Sequence, residues 1–188
     1  MSLPADLQIL HDQLDDAERD ARQLAPGLSE ELANWRPTQS SWSVAECLDH
    51  LASTNRFYLA AMRDPALRAR EQGRLRRGPA KPGWIGGFFV RLIEPPVKAR
   101  IKTPRSIQPR STPPLPDALA HFCAEQNEVR AFLHTNGDLD LAGLHYPNPF
   151  IRGINQSLAT GLHVITAHER RHLWQARRVR EAAEAAHK

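Results

Sequence analysis

The chain has 188 residues, of which 41% are hydrophobic and 24% charged, with a formal net charge of +4. This length suits one domain with a substantial core, so we predict a single domain over residues 1–188. No apolar run approaches the ~20 residues that cross a membrane, the amino terminus lacks the features of a secretory signal, and a content of two cysteines does not support a disulfide framework. We therefore expect a cytoplasmic protein with no membrane span.

The basic charge lies mainly in one segment. Residues 63–110 hold 13 of the 25 Lys and Arg residues and only three acids, whereas the rest of the chain has more acids than bases. The alkaline isoelectric point therefore does not indicate a uniformly basic surface, and nucleic acid is not favoured as a partner.

The first helix is predicted over residues 7–24. Its apolar residues recur at alternating spacings of three and four, which is the pattern of a helix with one face in the core. Pro26 and Gly27 end this helix, and a short helical turn is predicted at residues 29–34.

The second main helix is predicted over residues 43–63. Ser43 and Glu46 have the spacing of a capping box at its start, in which each side chain binds the other residue's backbone N–H. Apolar residues cover two adjoining faces, so this helix is largely buried and His50 points inward or along a cleft. Glu46 lies one turn before His50 on the same face, so it is either a capping residue or an acceptor for a ring N–H of His50.

Residues 64–114 are predicted to form a long crossover or lid. The helical periodicity fails here, and nine of the 15 prolines lie in this segment together with much of the basic charge. A short apolar patch, residues 84–90, interrupts the basic stretch, and we expect Trp84, Phe88 and Phe89 to cover a cleft.

Two more helices complete the predicted fold. One begins at Leu115 and ends at Asn136 and Gly137, and the last runs from about Asn155 to Ala185. No stretch has the alternation of a convincing strand. The sequence therefore predicts an all-α four-helix bundle with a long crossover between helices 2 and 3.

His168 and His172 lie four residues apart in the last helix. A helix turns through about 400° over that spacing, so both imidazoles leave one face a turn apart and can bind one metal ion. If this helix packs against the second one, His50 adds a third imidazole and one coordination position stays open, as in a catalytic zinc site. Taken alone the pair is a weak signal, because such a pair in a helix is more often structural.

Glu169 follows His168 directly and gives the H-E-x-x-H pattern of zinc proteases, in which the glutamate is a base. Such proteases also need a third protein ligand downstream and a cleft-forming strand, and neither is apparent. Glu169 is therefore a candidate catalytic base outside a protease, with Glu46 as the second candidate. Among the other histidines, His145 could approach the site from a loop, and His163 lies on the opposite face of its helix from His168.

Two separated segments resemble motifs of the DinB/YfiT-like superfamily. Residues 34–51, with Pro37, Trp42-Ser43, Glu46 and His50, resemble its P…WS-x-x-E-x-L-x-H-L motif. Residues 168–175 resemble the H-x-x-x-H-x-x-Q motif of its final helix. The order and separation of the motifs also fit, and the resemblance covers nearly the whole chain.

The resemblance implies a bundle of up-down-down-up topology, often dimeric, that holds a divalent metal with three histidines. Carried over by position, these are His50, His168 and His172. Zinc or nickel is usual in such proteins. Some members are S-transferases or isomerases that use a low-molecular-weight thiol, and others are described as hydrolases. The basic segment 64–114 is a departure from shorter members.

These observations lead to two hypotheses of function. The first is a metal-dependent enzyme, expected as a homodimer, that activates water or a low-molecular-weight thiol for hydrolysis or S-transfer on a small molecule. The second is a non-enzymatic or degenerate dimeric bundle that binds an anionic partner, such as nucleic acid or an anionic membrane surface, through its basic crossover. The metal content per chain separates the two.

Overall fold

The structure is a computed structural model that describes residues 2–96, 103, 107–109 and 112–187. Within these residues the chain forms six helices and one small antiparallel sheet. In chain order they are α1 Ala5–Gln23, α2 Glu30–Asn34, α3 Val44–Glu71, α4 Trp84–Ile93, α5 Leu115–Asn136, β1 His145–Pro147, β2 Asn155–Ser157 and α6 Leu158–Ala186. The prediction of a mostly helical protein is confirmed, and none of the described helices is both long and apolar enough to span a membrane.

The four long helices contact one another in pairs. Helix α3 packs against α5 and α6, and α1 packs against the same two helices. The apolar stripe predicted on α1, which includes Leu7, Leu10 and Leu14, is fully buried. Two core clusters fill the space between the helices, one around Leu59 and one around Phe122. The up-down-down-up order of the helices stays a prediction.

Helix α3 continues beyond its predicted end at residue 63. It passes through Pro65 and ends at Glu71, although an interior proline removes one backbone hydrogen bond and costs ~3 kcal/mol. Ala66 and Ala69 extend the buried face past the proline, and Arg70 donates a hydrogen bond to the Asp138 carboxylate at 3.0 Å. These contacts offset the backbone hydrogen bond lost at Pro65. They lie far apart in the sequence, so the proline alone could not predict that the helix continues.

The predicted crossover also contains a helix, α4, where the sequence showed no helical periodicity. Gly86 packs against Thr160 of α6 so closely that an added Cβ would lie 2.6 Å from the threonine side chain. The absence of a side chain at Gly86 is therefore what lets α4 approach α6. Residues 97–102, 104–106 and 110–111 of the predicted crossover lie outside the described residues.

A two-stranded sheet precedes the last helix, where the sequence indicated no strand. His145 pairs with Ser157 and Pro147 with Asn155, and the buried Tyr146 between them accepts a hydrogen bond from Gln156 at 2.6 Å. Because residues 155–157 form β2, the last helix begins at Leu158 and not at the predicted residue 155. Ser157 caps this helix.

The contact between α6 and the sheet predicts a marked difference between two glycine-to-alanine changes. An added Cβ at Gly161 would lie 3.0 Å from the Tyr146 ring and 3.1 Å from the Met62 sulfur, whereas one at Gly87 has no neighbour closer than 3.9 Å. We expect Gly161→Ala to lower the free energy of unfolding by about 2 kcal/mol through overpacking. Gly87→Ala should raise it by about 0.5–1 kcal/mol, since alanine is the better helix former.

Urea unfolding followed by circular dichroism measures both values. Equal effects of the two substitutions would contradict the close approach of α6 to Tyr146.

Candidate metal centre

The contact between α3 and α6 brings three histidine rings together. His50 lies on α3, and His168 and His172 lie on α6, with one ring nitrogen of each within 4.8 Å of the others. The Nε2 atoms of His50 and His168 are 3.2 Å apart. Two nitrogens bound to one tetrahedral ion at ~2.0–2.1 Å stand about 3.3 Å apart, so this spacing fits shared ligation. The three residues singled out in the sequence thus form a cluster that could hold a metal ion.

The orientation of the His50 ring is fixed from its far side. Its Nδ1 lies 2.8 Å from the backbone carbonyl oxygen of Ile107, which can only accept, so Nδ1 carries the proton and donates. In the neutral ring this leaves the lone pair on Nε2, which faces His168. A second hydrogen-bond partner of this kind holds most metal-binding histidines in the right tautomer. Sequence spacing gave no signal for Ile107, which lies within the proline-rich crossover.

All three rings are in the form that binds metal. Burial lowers the pKa of His50 to about 4. Burial and the neighbouring rings lower the pKa of His168 and of His172 well below the usual range. The imidazoles are therefore neutral near pH 7, and each offers a lone pair without first losing a proton.

Trp42 forms one wall of the cluster. Its ring stacks on that of His172 at 5.4 Å between centroids and lies 4.6 Å from that of His50. The start of α3 holds Trp42 in place, because Ser43 caps the helix and forms the predicted capping box with Glu46. Trp42 belongs to the first of the two motifs singled out in the sequence, but nothing in the sequence indicated its contact with α6.

Glu46, one of two candidate catalytic residues, has structural partners. Its buried carboxylate accepts hydrogen bonds from Arg36 Nε and from the Ser43 backbone N–H, both at 2.9 Å. The ring N–H of His50 goes to Ile107 instead, so the capping role of Glu46 is the one these contacts support. Glu46 is not among the residues that line the cleft described below.

Glu169, the other candidate, turns away from the histidines into the core. Its fully buried carboxylate accepts hydrogen bonds from the side-chain amides of Asn55, at 2.7 Å, and Gln126, at 3.1 Å. Burial raises the pKa of Glu169 to about 7. Its role as a catalytic base stays a prediction that these contacts do not support, because Glu169 links α6 to α3 and α5 and does not line the cleft.

The two other histidines considered from the sequence lie elsewhere. His145 is exposed on β1, with its Nδ1 3.2 Å from the Gly143 carbonyl oxygen, so it does not approach the cluster. The Nε2 atom of His163 lies 3.0 Å from the Ala80 carbonyl oxygen, so this ring contacts the segment before α4 and not the cluster.

The histidine cluster opens into a cleft of about 1470 Å³. Apolar side chains from α4, from the segment after β1 and from α6 form much of its wall, among them Phe89, Ile93, Phe150 and Val164. Phe89 is placed there as expected. Trp84 and Phe88, which were also expected to cover the cleft, are instead exposed on the far side of α4, so that part of the prediction is wrong.

Charged side chains from α6 also line the cleft. Arg171 lies directly before His172, and Arg178 stacks its guanidinium over Trp174 at 4.9 Å from the ring centroid. Glu181 adds one acid to the same wall. Neither arginine was predicted as a site residue, although Arg171, His172 and Gln175 lie three, four and seven residues after His168 and so share one side of the helix.

The described residues thus define a helical protein with three neutral histidines at the head of a cleft. Residues 13–176 match the family model of the DinB superfamily, a range that contains all three histidines. The chain belongs to the DinB superfamily. No curated protein and no solved structure matches it significantly.

Removal of one ring from the cluster should greatly reduce metal binding. We expect His50→Ala to lower the metal content per chain by well over half, because two imidazoles on one helix turn cannot enclose an ion. The control is His145→Ala, which removes an exposed histidine outside the cluster and should leave the content unchanged. Elemental quantification of the purified proteins measures both. Full retention of metal in His50→Ala would refute its role as a ligand.

The hydrogen bonds of Glu169 predict a contrast between two substitutions. Glu169→Ala leaves the amides of Asn55 and Gln126 without their acceptor, which should cost about 2–4 kcal/mol of the free energy of unfolding. Glu169→Gln keeps the volume and one acceptor oxygen, so it should retain most of this stability. Urea unfolding at matched metal content measures the difference, and equal losses in the two variants would show that the hydrogen bonds contribute little.

Proposed function

We propose that this protein is a metal-dependent enzyme that uses a divalent ion, held by His50, His168 and His172, to transform a small molecule. The observation that carries the proposal is the convergence of three neutral imidazoles at the head of a large open cleft. Three protein ligands leave a coordination position free, which is typical of catalytic rather than structural zinc sites. The donor set suits zinc or nickel, because imidazole is a good ligand for both.

When bound, such an ion would lower the pKa of water or of a low-molecular-weight thiol and so supply a nucleophile near neutral pH. The proposed reaction is therefore hydrolysis or S-transfer. The chain's own residues prepare this site: Ile107 fixes the tautomer of His50, and Trp42 holds the rings of His50 and His172. We assign Glu46 and Glu169 positioning roles, since both have their hydrogen-bond partners inside the protein.

The charge and shape of the cleft favour an anionic substrate or cosubstrate with an apolar part. Neutral ligands leave the charge of a divalent ion uncompensated, and the described residues that line the cleft include two arginines, Arg171 and Arg178, and one acid, Glu181. The aromatic and aliphatic wall formed by residues such as Phe89 and Phe150 would receive the apolar part.

The proposal also includes the assembly that the superfamily resemblance implies. The four long helices would form one domain as an up-down-down-up bundle, and the pairwise contacts of α1 and α3 with α5 and α6 support this arrangement. A cytoplasmic homodimer is the proposed state.

The test of the reaction is a comparison of water with thiols on a panel of anionic electrophiles. The metal-loaded protein should react with at least one of them by hydrolysis or by transfer to an added carboxylate-bearing thiol, and chelation should abolish the reaction. Arg171→Ala should raise KM for the anionic compound by about tenfold, since a charge-assisted hydrogen bond contributes ~1.5–3 kcal/mol.

The matched control is Arg177→Ala, which removes an exposed arginine of the same helix that pairs with Asp20 at 3.1 Å. This variant should keep the KM of the original protein. Turnover that survives complete removal of the metal would refute the proposed chemistry, and equal KM values for the two variants would refute the role of Arg171.

A further inference from the structure

Helix α4 has an exposed apolar face that the metal centre does not use. Trp84 is 85% exposed, Ile85 76% and Phe88 59%. At 100° per residue these side chains, together with Leu92, fall within one third of the helix circumference. Exposed apolar residues are normal when scattered, but two large aromatic side chains on one short helix form a contiguous patch.

The other face of α4 is fixed to the protein, so the exposed face cannot turn inward. Gly86 packs on Thr160 of α6, and Glu94 at the end of α4 accepts a hydrogen bond from Arg170 Nε at 3.0 Å. The buried Ile93 faces the core. Helix α4 is therefore anchored along one side and presents Trp84 and Phe88 outward.

Basic residues lie close in sequence to this apolar face. Residues 72–93 contain five Lys and Arg residues and no acid. Arg76 pairs with Asp6, but Arg77, Lys81 and Arg91 are exposed, and within the described ranges none of the three forms an ion pair with a carboxylate. Lys81 lies three residues before Trp84, and Arg91 lies on the exposed side of α4 itself.

We propose that the exposed face of α4 docks onto an anionic lipid surface, with Trp84, Ile85 and Phe88 inserted at the headgroup level. Aromatic and aliphatic side chains flanked by basic residues are typical of helices that lie in the plane of a membrane interface. Each basic residue near an anionic leaflet adds to the attraction.

The same charges argue against a second copy of the chain as the occupant. A two-fold dimer would place this patch against itself, so Arg77, Lys81 and Arg91 of one protomer would meet the same basic residues of the other with no acid in residues 72–93 to balance them. A nucleic acid would neutralise the charges but would leave the aliphatic Ile85 and Leu92 without a matching surface.

Co-sedimentation with vesicles tests the proposal on the full-length protein. The protein should bind vesicles of phosphatidylcholine mixed with phosphatidylglycerol and should bind much less to phosphatidylcholine alone. The double variant Trp84→Ser/Phe88→Ser should weaken binding to the anionic vesicles by at least about tenfold, because two large apolar side chains no longer leave water on binding. Arg77→Glu/Lys81→Glu should weaken it by a comparable factor and reduce its dependence on salt.

The control is Ile9→Ser/Leu67→Ser, which removes two apolar residues of similar exposure, 57% and 58%, outside α4 and should leave vesicle binding unchanged. Metal content should be the same in all variants, so this test is independent of the proposed reaction. Absence of binding to anionic vesicles overturns the proposal. A dimer that Trp84→Ser/Phe88→Ser dissociates, or binding to nucleic acid in place of vesicles, overturns it as well and identifies the other occupant.

Discussion

The site depends on the packing of α3 against α6. This contact carries His50 to the face of α6 from which His168 and His172 project, and it leaves the Nε2 atoms of His50 and His168 3.2 Å apart. The contact has an electrostatic consequence, because burial keeps all three rings uncharged. Three imidazolium rings at this distance would repel one another strongly, whereas three neutral rings can each offer one ring nitrogen to the same ion.

The core supports this contact with a buried polar link that begins at Glu169, the residue directly after His168. Glu169 joins α6 to Asn55 of α3 and Gln126 of α5. Hydrogen bonds of this kind are costly to leave unmade, so they fix the rotation of α6 relative to its neighbours. The rotation of α6 in turn sets where its two histidines point. Glu169 therefore helps to position the two histidines of α6 through its hydrogen bonds in the core, although it does not line the cleft.

The sequence predicted those parts of the protein that depend on spacing within one helix. The stripe of α1, the capping box of α3 and the alignment of His168 with His172 all follow from the helical repeat. Contacts between helices were harder to predict. The position of Glu169 in the sequence indicates which face of α6 it occupies, but it does not indicate which residues of other helices it contacts. A signal was present in Gln126, a polar residue at a core-facing position of α5, which required a buried partner.

Helix α4 shows that glycine in a sequence does not by itself predict the end of a helix. Residues 84–93 form a helix although they include two glycines, which are weak helix formers, because the close approach to Thr160 requires a residue without a side chain at Gly86. The same helix then serves two surfaces. Phe89 and Ile93 line the cleft, while Trp84 and Phe88 face outward. A lipid surface that binds the outer face would therefore lie close to the wall of the metal cleft. An amphipathic substrate in that lipid surface would then be near the cleft.

The central claim is that one ion is bound by three imidazoles. X-ray absorption spectroscopy of the zinc-loaded protein tests it most directly, because imidazole rings give a characteristic multiple-scattering pattern. In a buffer without thiols we expect three imidazole nitrogens at ~2.0–2.1 Å and one exchangeable oxygen ligand from water. A sulfur ligand at ~2.3 Å in that buffer, or fewer than three imidazoles, would contradict the proposed site.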